Sequence, residues 1–262
     1  MRALYVAATG MAAQDFNVQT ISNNIANMRT TGYKRMRADF KDMVYQHHKL
    51  PGSAGTGQTG TRPEGVFVGS GVAIAGSGRI TSQGVVTPTQ RPYDLAIRGE
   101  GYFQVRMDNR TAYTRDGRFS INAEGALVTQ DGRLVEPGLT IPNNATSFTV
   151  NASGLVQYTL AGQTQPQTAG QLQITRFVNP AGLESIGDNL LVVTDASGPG
   201  TQANPGTDGA GQIEQAALES SNVEPVTEIS SLIAAQRAYE MNSKVVTACD
   251  QMQQSTSQMF RG

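Results

Sequence analysis

The chain has 262 residues, a formal net charge of −1, 29 glycines, 11 prolines, no tryptophan and one cysteine. That length allows one large domain or two smaller ones with a sizeable core, and 38% hydrophobic residues is too apolar for wholesale disorder. Near-neutral charge argues against a dedicated nucleic-acid binder, and a single cysteine excludes an intrachain disulfide framework and a cysteine-based zinc cluster.

The total charge hides an asymmetry. Residues 1–50 hold seven Lys/Arg against three Asp/Glu, a net of +4, whereas residues 201–262 hold three against seven, a net of −4. Folding that brings the two ends together is therefore mildly favoured, although exposed charge gives orientation more than energy. No run reaches the ~18 apolar residues of a membrane span, so no membrane insertion is expected. Residues 3–14 are interrupted by Thr9, Gly10 and Gln14, which leaves no apolar stretch typical of a cleavable secretory signal.

The first segment reads as a helix over 1–32. Leu4, Ala7, Met11, Gln14, Val18, Ile21, Ile25 and Met28 recur at steps of three and four, and seven of these eight are apolar. Gly10 weakens it by about 1 kcal/mol, and Thr30-Thr31-Gly32 is the expected stop. Residues 33–75 read as a linker or extended hairpin, in which Phe40, Met43 and Val44 have the spacing of a short helix. Within it Pro51–Gly65 has loop composition and is long for a compact domain.

From 76 to 222 the pattern turns β-rich. Leu95/Ile97, Tyr102–Val105, Leu155–Leu160, Leu172–Phe177 and Leu190–Thr194 read as strands, as do Val66/Val68 and Val72/Ile74 just before. Asp116-Gly117 and Asp131-Gly132 are hairpin signals, and Glu124-Gly125 is a weaker one. The last segment, 223–262, reads as a long helix from Pro225 to Phe260. It carries two apolar seams. One passes through Leu232, Ala235, Tyr239, Asn242, Val246, Cys249, Gln253, Thr256 and Phe260, six of nine apolar; the other through Ala238, Met241, Val245, Ala248, Met252, Ser255 and Met259, six of seven apolar. One residue of offset places them about 100° apart. The first helix, paired as a coiled coil, covers one seam only, and no third long helix is expected. The other seam must find another molecule, and both terminal helices are expected to order on assembly. The fold class is thus mainly β with α: terminal helices pairing as a coiled coil around a β-rich centre.

Catalytic and metal-binding patterns are thin. There is no nucleophile elbow, HExxH, P-loop or CxxC, and His47-His48 lacks a carboxylate or cysteine cluster at ligand spacing. These two read as solvated loop histidines, and Cys249 as a small hydrophobe in a seam. No catalytic residue, metal site or cofactor is expected, and a wall-acting enzyme is the distant alternative. The basic run Arg29–Lys41 reads as a solvated face or as a partner of the acidic C-terminal segment.

Several motifs in order along the chain carry a family resemblance. Ser22-Asn23-Asn24-Ile25-Ala26-Asn27 followed by Thr30-Thr31-Gly32-Tyr33-Lys34 resembles the N-terminal signature of the bacterial flagellar rod and hook proteins. Gln236-Arg237-Ala238-Tyr239-Glu240-Met241-Asn242-Ser243-Lys244 is similar to their C-terminal signature. Ala96–Phe103, Tyr113–Gly117 and Gly182–Gly187 resemble their β domain. Length and the Tyr45–Gly69 insertion favour the distal-rod branch over the proximal-rod and hook branches. The resemblance implies an axial structural protein that polymerises into a hollow helical tube, with the terminal helices as an inner layer round an export channel. It implies that residues 33–75 touch neighbouring copies, and that the partners are other rod and hook subunits, surrounding ring proteins and the flagellar type III export apparatus. It also implies a place in the basal body across the periplasm, reached without a cleaved signal. The expected interface residues are Leu4, Met11, Val18, Ile21, Ile25, Met28, Leu232, Tyr239, Met241, Val245, Val246 and Met252. Asn23, Asn24 and Asn27 are candidates to pin helix register.

Overall fold

The computed structural model describes residues 2–49, 51, 64–107, 110–163 and 165–259. The chain divides into two compact units. One comprises Met1–Ile25, Met36–Gly78 and Pro225–Gly262; the other comprises Ala26–Arg35 and Arg79–Glu224.

In the first unit, α1 (Arg2–Ala26) and α2 (Pro225–Met259) are the only α-helices among the described residues. Pro225 sits at the helix start, where its missing N–H costs nothing. Phe260 lies outside the described residues. α1 ends earlier than the Thr30-Thr31-Gly32 stop. The Thr30 N–H donates to the Asn27 carbonyl at 3.1 Å, and the Thr30 hydroxyl donates to Asn27 Oδ1, also at 3.1 Å. A short amide side chain offering local bonds competes with the helical ladder, so the chain turns at Asn27. Met28 therefore falls outside the helical seam and is 38% exposed.

Two small ladders complete this unit. β1 (Met36–Asp42) pairs with β4 (Val72–Arg79), and nested between them β2 (Tyr45–Lys49) pairs antiparallel with β3 (Val66–Gly69). The short helix suggested by Phe40, Met43 and Val44 does not form. Phe40 lies in β1, and the Met43 N–H is taken by the Gly71 carbonyl at 2.9 Å. Three residues of helical spacing are a weak preference beside a paired backbone. His47 and His48 lie in β2 rather than in a loop. The His47 ring meets Phe67 edge-on at 4.9 Å, and a guanidinium nitrogen of Arg2 lies 3.3 Å from His48 Nε2. Of the Pro51–Gly65 loop, residues 52–63 lie outside the described residues.

The second unit is built of short strands. In chain order they are β5 (Val86–Pro88), β6 (Leu95–Arg98), β7 (Tyr102–Met107), β8 (Arg110–Thr114), β9 (Phe119–Ile121) and β10 (Leu127–Thr129). There follow β11 (Ala145–Val150), β12 (Leu155–Leu160), β13 (Gln167–Gln171), β14 (Ile174–Arg176), β15 (Glu184–Gly187) and β16 (Leu190–Val192). The last three are β17 (Thr201–Ala203), β18 (Gln212–Gln215) and β19 (Ala217–Glu219). The largest sheet has the order β15-β16-β8-β7-β14-β17; β11-β12-β13 form a meander, and β5, β6 and β9 pair with β19, β18 and β10.

Alternation along β7 explains the layering. Successive side chains point to opposite faces. Phe103 enters the main core with Leu95, Ile97, Phe119, Leu127 and Ile174, while its neighbour Tyr102 joins Tyr113, Phe177, Leu183 and Leu191. Both faces of the sheet are thus covered. Of the hairpin signals, Asp131-Gly132 turns the chain after β10, with the Thr129 N–H donating to the Arg133 carbonyl at 2.8 Å. Glu124-Gly125 joins the paired strands β9 and β10. Asp116-Gly117 makes no hairpin. Glycine is needed there because a Cβ would sit 1.6 Å from the Leu95 carbonyl oxygen, where β6 crosses.

Three charged side chains meet inside this unit. Glu219 accepts from Lys34 Nζ at 2.5 Å and from Arg115 at 2.8 Å, with the three side chains only 1%, 5% and 7% exposed. The Gly84 N–H also donates to Glu219 at 2.9 Å. Arg115 reaches further, to the carbonyls of Ile97 and Gly99 at 3.2 and 2.5 Å. So Lys34 of the basic run does find an acidic partner near the other end of the chain, whereas Arg37 pairs with its near neighbour Asp39.

Breaking a buried pair costs about 3–5 kcal/mol, because the remaining charges stay buried. Glu219→Ala is therefore expected to lower the unfolding free energy of the β-rich unit by that order, read as a lower urea midpoint with an unchanged slope. Burial, outweighing the pull of Glu219, lowers the Lys34 pKa below its ordinary 10.5. Between the lowered value and 10.5 the unfolded chain binds more protons than the folded one, so stability from this group rises with pH. The stability difference of wild type minus Lys34→Met should grow as pH is raised through that window; a shrinking difference contradicts the assignment.

Candidate assembly surface

The helices of the first unit hold most of the expected interface residues. Two contacts give their relation. Asn24 Nδ2 donates to Glu228 Oε2 at 3.1 Å, and a Cβ on Gly10 would lie 2.9 Å from Asn242 Nδ2. Going from 24 back to 10 on α1 matches going from 228 forward to 242 on α2. Each pair of numbers sums to 252, so α1 and α2 run antiparallel in one register.

Burial follows that register. On α1, Ala7, Ala13, Ile21 and Asn24 are buried, while Leu4, Met11, Val18 and Ile25 are half-buried. On α2, Glu228 and Ala235 are buried and Leu232, Asn242, Val246 and Cys249 are half-buried. These residues trace the first α2 seam. Small residues at 10, 13 and 235 let the backbones approach. Tyr239, expected in this seam, is 44% exposed.

The second seam has a different fate. Met241, Val245, Met252 and Met259 are 61%, 45%, 61% and 78% exposed. They share one side of the helix, about 100° round from the packed seam. Val226, Ile229 and Ile233 are exposed as well, near the start of α2. Two adjoining apolar stripes on one helix, with one partner helix, give this outcome by geometry alone.

The family-motif residues play separate roles. Asn24 is 1% exposed and binds three elements together. Its amide donates to the Met36 carbonyl at 2.8 Å and to Glu228, and its oxygen accepts from the Met36 N–H at 2.9 Å. Glu228 lies in the first turn of α2, where the helix dipole favours a carboxylate. Asn23 is exposed and Asn27 half-buried; Asn27 closes the turn after α1. Thr31, Gly32 and Tyr33 are half-buried in the second unit. Gly32 has φ +68°, donates its N–H to the Glu219 carbonyl at 2.8 Å and passes so near Arg115 that a Cβ would meet its carbonyl carbon at 2.7 Å. Thr31 accepts at its carbonyl from Asn189 Nδ2 at 3.2 Å. Gln236, Arg237 and Glu240 are exposed on α2.

Glu219 and Glu228 were not singled out from sequence, yet they are among the largest side chains fully buried. A signal for Glu219 exists. Ala217 and Glu219 share a face of β19, and Ala217 is buried, so an acid at the next inward position calls for buried cations. Among the described residues, no group of three His, Cys, Asp or Glu side chains is placed to hold a metal ion, and no helix is long and apolar enough to cross a membrane.

Comparison with known proteins agrees along the whole chain. Residues 4–34 match the family described as flagella basal body rod protein, residues 96–158 the flagellar hook protein FlgE/F/G D1 domain, and residues 214–259 the flagellar basal body rod FlgEFG protein C-terminal region. A flagellar basal-body rod protein FlgG of Caulobacter vibrioides is 55% identical, over 99% of this chain and 99% of the relative. One from Bacillus subtilis is 37% identical over the full length of both. The flagellar basal-body rod protein FlgF of Caulobacter vibrioides is 36% identical, over 93% of this chain and 91% of its own. The chain therefore belongs to the family of flagellar basal-body rod proteins, nearer to the FlgG than to the FlgF member of the same bacterium.

Proposed function

We propose that the chain is a structural subunit of the distal rod that polymerises into a hollow helical shaft, carries torque from motor to hook and encloses the export channel. The observation that carries this reading is the exposed stripe Met241, Val245, Met252 and Met259 beside a seam already covered by α1. A contiguous apolar stripe marks a contact surface, and a second copy supplies helices of matching pattern. A contact between different patches of identical copies that does not close generates an open helical polymer.

Further parts of the reading follow from the family. Residues 33–75 reach neighbouring copies, and the Pro51–Gly65 loop stiffens the shaft against bending. The terminal helices gain their final order on assembly. Other rod and hook subunits join the ends, ring proteins surround the shaft in the periplasm, and the flagellar type III apparatus exports the chain without a cleaved signal. The role is mechanical rather than enzymatic.

Electron microscopy of purified protein at rising concentration tests the reading, with tubes expected. Val245→Asp puts a charge on the exposed stripe and is expected to abolish tubes while the β-rich unit keeps its thermal transition; tubes of normal appearance would overturn the assignment of this stripe. Asn24→Asp keeps the shape of the side chain but sets two carboxyl groups about 3 Å apart beside Met36. Like charges at that distance repel, and the terminal helices should lose circular-dichroism signal at pH 7 and recover part of it on acidification.

A further inference from the structure

The helix register has a remainder. Since paired numbers sum to 252, Arg2 at the start of α1 stands opposite Asp250. Beyond it α2 continues to Met259, and every residue from Gln251 to Met259 is exposed. At 1.5 Å per residue this overhang is about 13 Å long. Isolated helical turns are marginal in water, and Met252 and Met259, seven residues apart, sit on one side of them.

A groove of matching character lies at the start of α1. Arg2, Tyr5 and Val6 line it with Gln46 of β2 and with Val68 and Ser70 of the β3 end, enclosing about 290 Å³. Tyr5, Val6 and Val68 are 56%, 38% and 40% exposed there. The overhang has the complementary chemistry. Residues 251–259 carry no charge at all, so they enter an apolar groove without burying an unpaired ion. Methionine adapts to irregular space and favours contact with an aromatic edge, which Tyr5 offers. Gln46 and Ser70 can exchange hydrogen bonds with the glutamines that flank Met252.

We propose that the α2 overhang of one copy seats Met252 and Met259 in the groove formed by Tyr5, Val6 and Val68 of the next copy. This rests on the polymer reading and names one of its contacts. Overhang and groove are different surfaces, so each bond leaves one of each open and growth continues in one direction.

The test uses full-length protein in a Cys249→Ser background. Val68→Cys and Met259→Cys chains are made separately, mixed under polymerising conditions and oxidised. A disulfide-linked heterodimer on a non-reducing gel is expected, and Met241→Cys should give none with Val68→Cys. Met259→Glu is expected to raise the concentration needed for tubes at least about tenfold, a loss of roughly 1.4 kcal/mol of contact, with monomer circular dichroism unchanged because Met259 touches little of its own chain. Tubes without the cross-link, together with Met259→Glu assembling like wild type, overturn this contact and leave the polymer reading standing. A closed dimer linked reciprocally also overturns it. Wild-type protein that forms no tubes at any concentration overturns both.

Discussion

One helix cannot cover two stripes. α2 carries adjoining apolar seams about 100° apart, and α1 packs against only one of them. The molecule is left with methionines and a valine exposed along α2. Repacking within the unit does not remove them, because its remaining elements are two small ladders. In the polymer proposed above, this deficit favours association, since apolar area removed from water supplies a driving force.

The buried carboxylates complement this. Glu228 and Glu219 are each 1% exposed, yet their settings differ. Glu228 accepts from an amide at a helix start, an arrangement that fixes register more than it adds stability. Glu219 lies between an ammonium and a guanidinium and ties Lys34, from the segment after α1, to β19 and the turn after β8. Its second neighbour, Arg115, also lies over the Tyr102 ring at 5.5 Å. Each acid joins stretches of chain about two hundred residues apart. The opposite charges of the two ends are thus used in part as buried, directional contacts rather than as diffuse attraction.

Much of this was legible in the sequence because periodicity is a property of many residues at once. The α2 seams together run from Leu232 to Met259, and no local preference competes with them. β12 and β7 were legible for the same reason. β11 and β13 were not, since ATSFTV and QTAGQ show little alternation, and they exist because the intervening β12 pairs with both. The stop of α1 was misplaced by several residues, as a side-chain bond of Asn27 outweighed the glycine downstream. Asp116-Gly117 carried the composition of a hairpin, but the glycine answers a crossing strand that only the folded chain brings near. In the candidate surface, the stripe was visible, whereas Asn24 and Glu228 form a buried pair 204 residues apart, beyond the reach of any local pattern.

The nesting of β2 and β3 inside β1 and β4 has an energetic corollary. The inner ladder clamps the two ends of the segment between Lys49 and Val66 together before the outer ladder and the helices are reached. Whatever length of chain is spliced in beyond that clamp closes at an entropic penalty that grows only logarithmically. Changes in the length of this stretch therefore leave the paired ladder that closes it, and the helices beyond, with little added folding cost.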